Sequence, residues 1–293
     1  MTVGTNVLYA APAMQRDQAL EHVTSIVRAS GTSFYWAMRM LPRGKRDAMF
    51  AVYAFCREVD DIADDPGKEE DKMRRLADWR VEIERLYAGH PQLPVSLALT
   101  DPVETFGLRK EVFLAVIEGM EIDAGASVRM PTVAALEAYC DRVASAVGRL
   151  SNRIFGVDDA HGEPVAVSLG QALQLTNILR DLAEDAAINR LYVPNDMLAV
   201  CDIPPHSARR AITHPRFPEV CAELAAVAQR RYEDAARALA ECDRRTMRPA
   251  IMMMQNYSRI LERLIERGWR RLDEPVSLSK AQKMWILLRY GVI

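Results

Sequence analysis

Asp60 and Asp64 lie four residues apart in Cys56-Arg57-Glu58-Val59-Asp60-Asp61-Ile62-Ala63-Asp64. Asp181 and Asp185 repeat that spacing in Asn177-Ile178-Leu179-Arg180-Asp181-Leu182-Ala183-Glu184-Asp185. On a helix, this spacing places both carboxylates of a pair on one face, about 6 Å apart along the axis. Like charges so placed weaken a bare helix. Two such pairs amid apolar neighbours predict a cation between the helices. Magnesium carrying a phosphorylated substrate is the simplest choice, because this small hard ion takes oxygen ligands and shares them with substrate phosphates.

Each pair extends into a longer stripe. Tyr53, Arg57, Asp60 and Asp64 fall within one arc of a helix, while Met49, Val52, Phe55, Val59 and Ile62 occupy its other faces. A helix so widely apolar is expected inside a bundle, with its polar stripe on an internal wetted cavity, since buried charges need partners. The alternative is a solvated acidic helix end before Pro66, which the helix dipole disfavours. Gln174, Asn177, Asp181 and Asp185 form the second arc, flanked by Leu173, Leu175, Ile178, Leu179 and Leu182. Reading Asn177 and Gln174 as buried polar residues satisfied by neighbours leaves two aspartates unpaired. Arg180 is open between an ion pair with an acid and a contact to phosphate.

Helices must position these stripes. Periodicity and breakers predict them over 17–29, up to Met40 from a cap at Thr32 or Ser33, from Pro42 to Asp64, over 69–87 and over 106–122. A long helix is expected from Met130-Pro131-Thr132 to Phe155, and another after Pro164 carrying the second acid pair. Residues 188–194 read as extended, and further helices are expected over 219–242, 248–272 and 278–290. Ala144, Ser145, Ala146 and Gly148 are small enough for close helix packing or for a cavity, and glycine inside a helix costs about 1 kcal/mol against alanine. Met252, Met253 and Met254 read as core filling. No repeat or run of strands stands out. Because the two acid pairs must meet in one site, the expectation is a single all-α domain over 1–293, with 1–16 as a flexible lead.

Composition narrows the function. The chain has 293 residues, 49% hydrophobic, with a formal net charge of -2, which argues against a nucleic-acid partner. Five scattered cysteines without a Cys-x-x-Cys pair point to a reducing, cytoplasmic setting rather than a disulfide framework. The histidines lack zinc-type spacing. No signal peptide is expected, and no apolar run reaches membrane-spanning length. Trp285-Ile286-Leu287-Leu288 is short and followed by Arg289, so it reads as a docked terminal helix.

The run Ser33-Phe34-Tyr35, then Tyr53-Ala54-Phe55-Cys56-Arg57 leading into Asp60-Asp61-Ile62-Ala63-Asp64, resembles the squalene/phytoene synthase family. So does Gln174-Leu175-Thr176-Asn177-Ile178-Leu179-Arg180-Asp181 with Asp185, followed by Arg190-Leu191-Tyr192-Val193-Pro194. Within the family, the flanks of the first motif resemble the bacterial branch that makes presqualene diphosphate for hopanoids. The resemblance implies an all-α isoprenoid-synthase bundle with a central cavity. Asp60 and Asp64 would bind Mg2+ on one wall, and Asp181 and Asp185, with Asn177 beside them, on the facing wall. Arg57 and Arg190 would grip diphosphate, Tyr53 would line the cavity, and Gln174 would meet substrate next to Asn177. Ser33 and Phe34 would belong to a flap over the diphosphate, and Tyr192 to a closing loop. Tyr139, Val143 and Gly148 would shape the hydrocarbon cavity, with Tyr257 a further cavity tyrosine.

The implied reaction is head-to-head condensation of two farnesyl diphosphates to presqualene diphosphate. Phytoene, dehydrosqualene or squalene synthesis are the family alternatives, and a non-catalytic scaffold of the same fold is the rival from another class. The apolar product suggests peripheral contact with the inner membrane and with downstream enzymes of the squalene pathway.

Overall fold

The computed structural model of the chain describes residues 13–31 and 34–292. Thr32, Ser33 and most of the 1–16 lead therefore lie outside the described residues. The described residues are about three-quarters helical, with almost no strand. In order, the helices are α1 Ala13–Ala29, α2 Phe34–Arg39, α3 Arg43–Asp64, α4 Glu69–Tyr87, α5 Pro94–Phe106, α6 Lys110–Asp123, α7 Val133–Cys140 and α8 Ala146–Phe155. They continue with α9 Asp159–Arg180, α10 Leu182–Ala187, α11 Asn195–Val200, α12 Ala208–Ile212, α13 Phe217–Ala240, α14 Arg248–Arg267 and α15 Lys280–Ile286. Two-residue strands, β1 Val128–Arg129 and β2 Arg190–Leu191, pair in parallel.

Two helices carry the site, and both are apolar on most faces. α3 buries Met49, Phe50, Val52, Phe55, Val59 and Ile62, and packs against α1, α5, α6 and α8. α9 packs against α13, α8 and α14. Its start is capped by the Asp158 side chain, which accepts the His161 N–H at 3.1 Å. The helix thus begins before Pro164, which lies in its second turn rather than preceding it. No helix among the described residues is long and apolar enough to cross a membrane.

Three elements differ from the sequence expectation for local reasons. α5 was hidden by Pro94 and Pro102. Pro94 occupies the first turn, where its missing N–H is no loss, and Val95, Ala98, Leu99 and Pro102 make a buried face at helical spacing. Glu82, itself buried, anchors the start of α5 by accepting the N–H groups of Gln92 (2.5 Å) and Leu93 (2.8 Å) and the Ser96 hydroxyl. The predicted 106–122 helix is split, since Gly107 ends α5 at φ 59° and α6 starts only at Lys110. The expected helix from Thr132 to Phe155 contains a π turn, Asp141–Ser145, between α7 and α8.

The π turn lies where α9 approaches closest. A Cβ placed on Gly170 would be 2.7 Å from the Cα and N of Ser145, so backbone itself blocks the space. Gly170→Ala is therefore expected to lower stability by about 2–3 kcal/mol, because neither helix can yield without shifting its backbone. Denaturant unfolding of the variant checks this; an unchanged midpoint would show that the contact is slack.

Candidate active site

α3 turns Tyr53, Arg57 and Asp60 onto the wall of an internal cavity of about 420 Å3. Arg57 holds Asp60 at 3.3 Å and Asp61 at 2.5 Å. Asp64, at the helix end, accepts the Arg190 guanidinium at 2.7 Å. Arg190 is buried and also donates to the carbonyls of Ala63 (2.9 Å) and Asp123 (2.7 Å). These three hydrogen bonds brace the end of α3 against β2 and the end of α6.

α9 supplies the facing wall. Gln174, Asn177 and Arg180 line the same cavity. Asn177 donates weakly to Gln174 at 3.5 Å, and its side-chain amide oxygen, Oδ1, is buried without a hydrogen-bond partner. Arg180 clamps Asp181 through two hydrogen bonds of 2.7 and 2.6 Å, so the ion-pair alternative holds in this state. The second stripe does not continue along one helix. α9 ends at Arg180, Asp181 adopts φ -100° and ψ 11°, and Asp185 rides on the separate α10. Its N–H still donates to the Asp181 carbonyl at 2.8 Å, which keeps the two acids together. Among the described residues no ion pair reaches Asp185.

A fifth carboxylate, Asp123, joins these four and was missed in the sequence. It closes α6 and is buried. Tyr139 and Tyr192 donate their hydroxyls to it at 2.9 and 2.6 Å, and their rings stack with centroids 5.0 Å apart. Both tyrosines therefore sit under the acids. Tyr139 is not among the residues that line the apolar cavity, and Tyr192 is buried in the short loop between β2 and α11. The only signal for Asp123 was one acid ending an apolar helix before Ala124-Gly125, a pattern that also fits an ordinary helix end.

Charge makes this cluster unsettled. Burial first, and then the neighbouring Asp64, push the Asp60 carboxyl up to about 6, against the pull of Arg57. Burial and Asp181 push Asp185 up to about 7, with Asp123 and Asp64 adding to the repulsion. Asp123 is pushed up to about 6 by burial despite its two tyrosine donors. Asp64 of the first pair thus repels Asp185 of the second, which places both walls in one electrostatic site.

Away from the acids the cavity becomes apolar. Val143 and Val147, on the π turn and α8, face Leu169 and Met253, while Phe34, Tyr53 and Tyr257 add aromatic faces. Gly148 also lines it, and a Cβ there would meet Ala166 at 3.1 Å, so the glycine serves close packing of α8 on α9 as well as the cavity. Cys56 lies on this wall with its thiol pushed up to about 12 by burial, which removes it as a nucleophile. A larger groove of about 660 Å3 runs along α1 and residues 89–94, but it holds none of the acid pairs and is not this site.

The donor set fits a hard divalent cation arriving with its substrate. Among the described residues, no three acid, histidine or cysteine side chains already stand close enough to hold a metal. Arginines occupy the counter-ion positions of Asp60, Asp64 and Asp181 instead. The mutually repelling carboxylates and the orphaned Asn177 oxygen nevertheless leave unmet demand for positive charge. Oxygen-only donors of this kind suit a hard divalent cation.

Relatives and folds agree with this geometry. Residues 27–282 match the squalene/phytoene synthase family. A presqualene diphosphate synthase of Rhodopseudomonas palustris is 47% identical over 90% of this chain and 95% of its own length. One from Sinorhizobium fredii is 42% identical over 95% of this chain and 99% of its own. Among solved structures, a dehydrosqualene synthase superposes with TM-score 0.84 at 24% identity, covering 96% of this chain and 98% of its own. A squalene synthase of Alicyclobacillus acidocaldarius superposes with TM-score 0.77 at 28% identity, over 90% and 99% of the two chains. An all-α bundle with paired acids on facing walls above an apolar cavity, matched over residues 27–282 and by relatives of this identity, belongs to the squalene/phytoene synthase family.

Proposed function

We propose that the chain condenses two farnesyl diphosphates head to head into presqualene diphosphate. The observation that carries this reading is the convergence of the two acid pairs, whose carboxylates repel one another, beside an apolar cavity lined by Asp60, Asn177 and Arg180. The names borne by the relatives from Rhodopseudomonas palustris and Sinorhizobium fredii support the choice of product.

Asp60, Asp64, Asp181 and Asp185, with the free oxygen of Asn177, are the residues that would hold Mg2+. When bound, the ion supplies neutralisation of the charge that develops on a departing diphosphate. Arg57 and Arg180 each hold an acid on the cavity rim, and both reach the cavity. Once those acids are engaged elsewhere, the two guanidinium groups are placed to fork onto diphosphate oxygens. Arg190 remains a brace that fixes Asp64. Asp123, held by Tyr139 and Tyr192, fixes the floor from which Arg190 reaches Asp64.

The donor loses diphosphate as its C1–O bond breaks, leaving an allylic cation. The double bond of the second substrate attacks that cation, and loss of one proton to the departed diphosphate closes a cyclopropane. Only the donor loses its diphosphate. The apolar wall of Val143, Val147, Leu169 and Met253 keeps water from the cation. Phe34, Tyr53 and Tyr257 present aromatic faces that favour positive charge.

Incubation with farnesyl diphosphate and magnesium, with and without NADPH, followed by product identification, tests the assignment. Presqualene diphosphate is expected in both mixtures. Squalene appearing only with NADPH would overturn it, and a preference for geranylgeranyl diphosphate would point to phytoene.

A further inference from the structure

α2 and the C-terminal segment expose an unusual surface. Trp36, Met40, Met284, Trp285 and Leu288 are 55%, 42%, 52%, 46% and 56% exposed. These are five of the thirteen large apolar residues left open to water among the described residues, and they fall on two short segments. The segments are not scattered: α2, α14 and the C-terminal stretch pack on one another. Both exposed tryptophans lie here, whereas Trp79 and Trp269 are buried.

The charge carried by these two segments has one sign, while α14 beside them adds exposed Glu262 and Glu266. Residues 34–42 and 280–292 carry Arg39, Lys280, Lys283 and Arg289 and no aspartate or glutamate, in a chain with more acids than bases. All four cations are exposed. Arg259 of α14 lies over the Trp285 ring at 4.5 Å, and the Trp285 ring meets Tyr290 edge-on at 6.0 Å. Indole rings set beside guanidinium and ammonium groups suit the headgroup level of a bilayer.

We propose that this face seats the protein on an anionic lipid bilayer, as an interfacial contact rather than a span. Exposed apolar side chains would enter the boundary between headgroups and acyl chains, while the four cations meet anionic headgroups. The placement also has a use, and this part rests on the condensation proposed above. The elements that carry the face also wall the cavity, α2 through Phe34 and α14 through Met253 and Tyr257. An amphiphilic product made there, with a long hydrocarbon part that favours lipid, lies one helix away from the bilayer that would accept it.

Sedimentation of the full chain with vesicles, in the absence of substrate, tests the proposal. Vesicles of phosphatidylcholine mixed with phosphatidylglycerol should carry the protein down, and phosphatidylcholine alone should carry much less. Added salt should weaken the binding. Lys280→Glu with Lys283→Glu should lower partitioning about 25-fold or more, since each surface cation contributes about fivefold. Trp285→Glu with Leu288→Glu should reduce it to background. The two lysines are exposed, so that variant should melt with the wild type; Trp36→Glu on α2 provides an independent probe should loss of the Arg259 and Tyr290 contacts of Trp285 loosen the terminal helix.

Wild-type protein left in the supernatant with anionic vesicles would overturn the proposal. So would equal binding to neutral vesicles, or a dimer in vesicle-free solution that Trp285→Glu with Leu288→Glu dissociates, which would assign the face to a second copy. Because binding is read without turnover, its failure leaves the condensation standing. A failed condensation with vesicle binding intact would remove only the account of product transfer.

Discussion

Asp60→Asn and Asp181→Asn are each expected to lower turnover on the order of a thousandfold while leaving the helical fold in place. A bound divalent ion contributes several kcal/mol to stabilising a leaving diphosphate, and each 1.4 kcal/mol is tenfold in rate. Each substitution removes one anionic ligand from one wall, so neither wall alone should suffice. The two differ in what they do to the resting protein. Asp60 is repelled by Asp64 and Asp123 as well as held by Arg57, so its neutralisation should not lower the melting temperature. Asp181 is clamped by Arg180 through two hydrogen bonds, so its loss should cost about 1 kcal/mol, as for other partly exposed pairs. Single-turnover rates with circular dichroism and melting curves separate the two effects. Near-normal turnover in either variant would mean that the acid walls do not hold the metal.

Legibility in the sequence followed the strength of periodic pattern. The stripe of Tyr53, Arg57, Asp60 and Asp64 could be read because α3 is one unbroken helix with apolar residues on its other faces. The upper half of the second stripe was equally readable, since Gln174 and Asn177 share α9 with Leu175, Ile178 and Leu179. Its lower half hid a break at Asp181, because residues 179–187 are ordinary helix formers with no glycine or proline to mark a stop. Asp123 was invisible for another reason. Its partners Tyr139 and Tyr192 arrive from distant parts of the chain, and no local spacing encodes that meeting. The π turn at Asp141–Ser145 is likewise set by what presses on it, the bare backbone of Gly170, rather than by its own residues. Arg190 enters through the family resemblance as an anion-binding residue, and only the fold reveals the two carbonyls and the Asp64 carboxylate that also engage it.

In the metal-free protein, Asp185→Asn is expected to raise stability at alkaline pH and to leave it unchanged in acid. Burial and Asp181 push the folded Asp185 carboxyl to about 7, against 3.8 for an ordinary aspartate. Between those values the folded protein keeps a proton that the unfolded chain has released. Raising the pH through this window therefore favours unfolding. The stabilising share of Asp185 is complete below about pH 4 and lost above about pH 7. Asparagine carries no such dependence. The variant should match the wild type near pH 4 and exceed it at pH 8 by roughly 2–4 kcal/mol. Asp60 titrates in the same direction but stays 43% exposed at its side chain, so water screens its share more strongly. Magnesium with pyrophosphate should reverse the ranking at pH 8, because a ligand that binds only the folded state stabilises it and the variant lacks one ligand group. Melting curves of both proteins across this pH range, with and without magnesium pyrophosphate, decide the matter. A wild-type-to-variant difference that stays flat with pH would show that Asp185 carries no frustrated charge. Its strain would then offer no reason for a cation to be drawn between the walls.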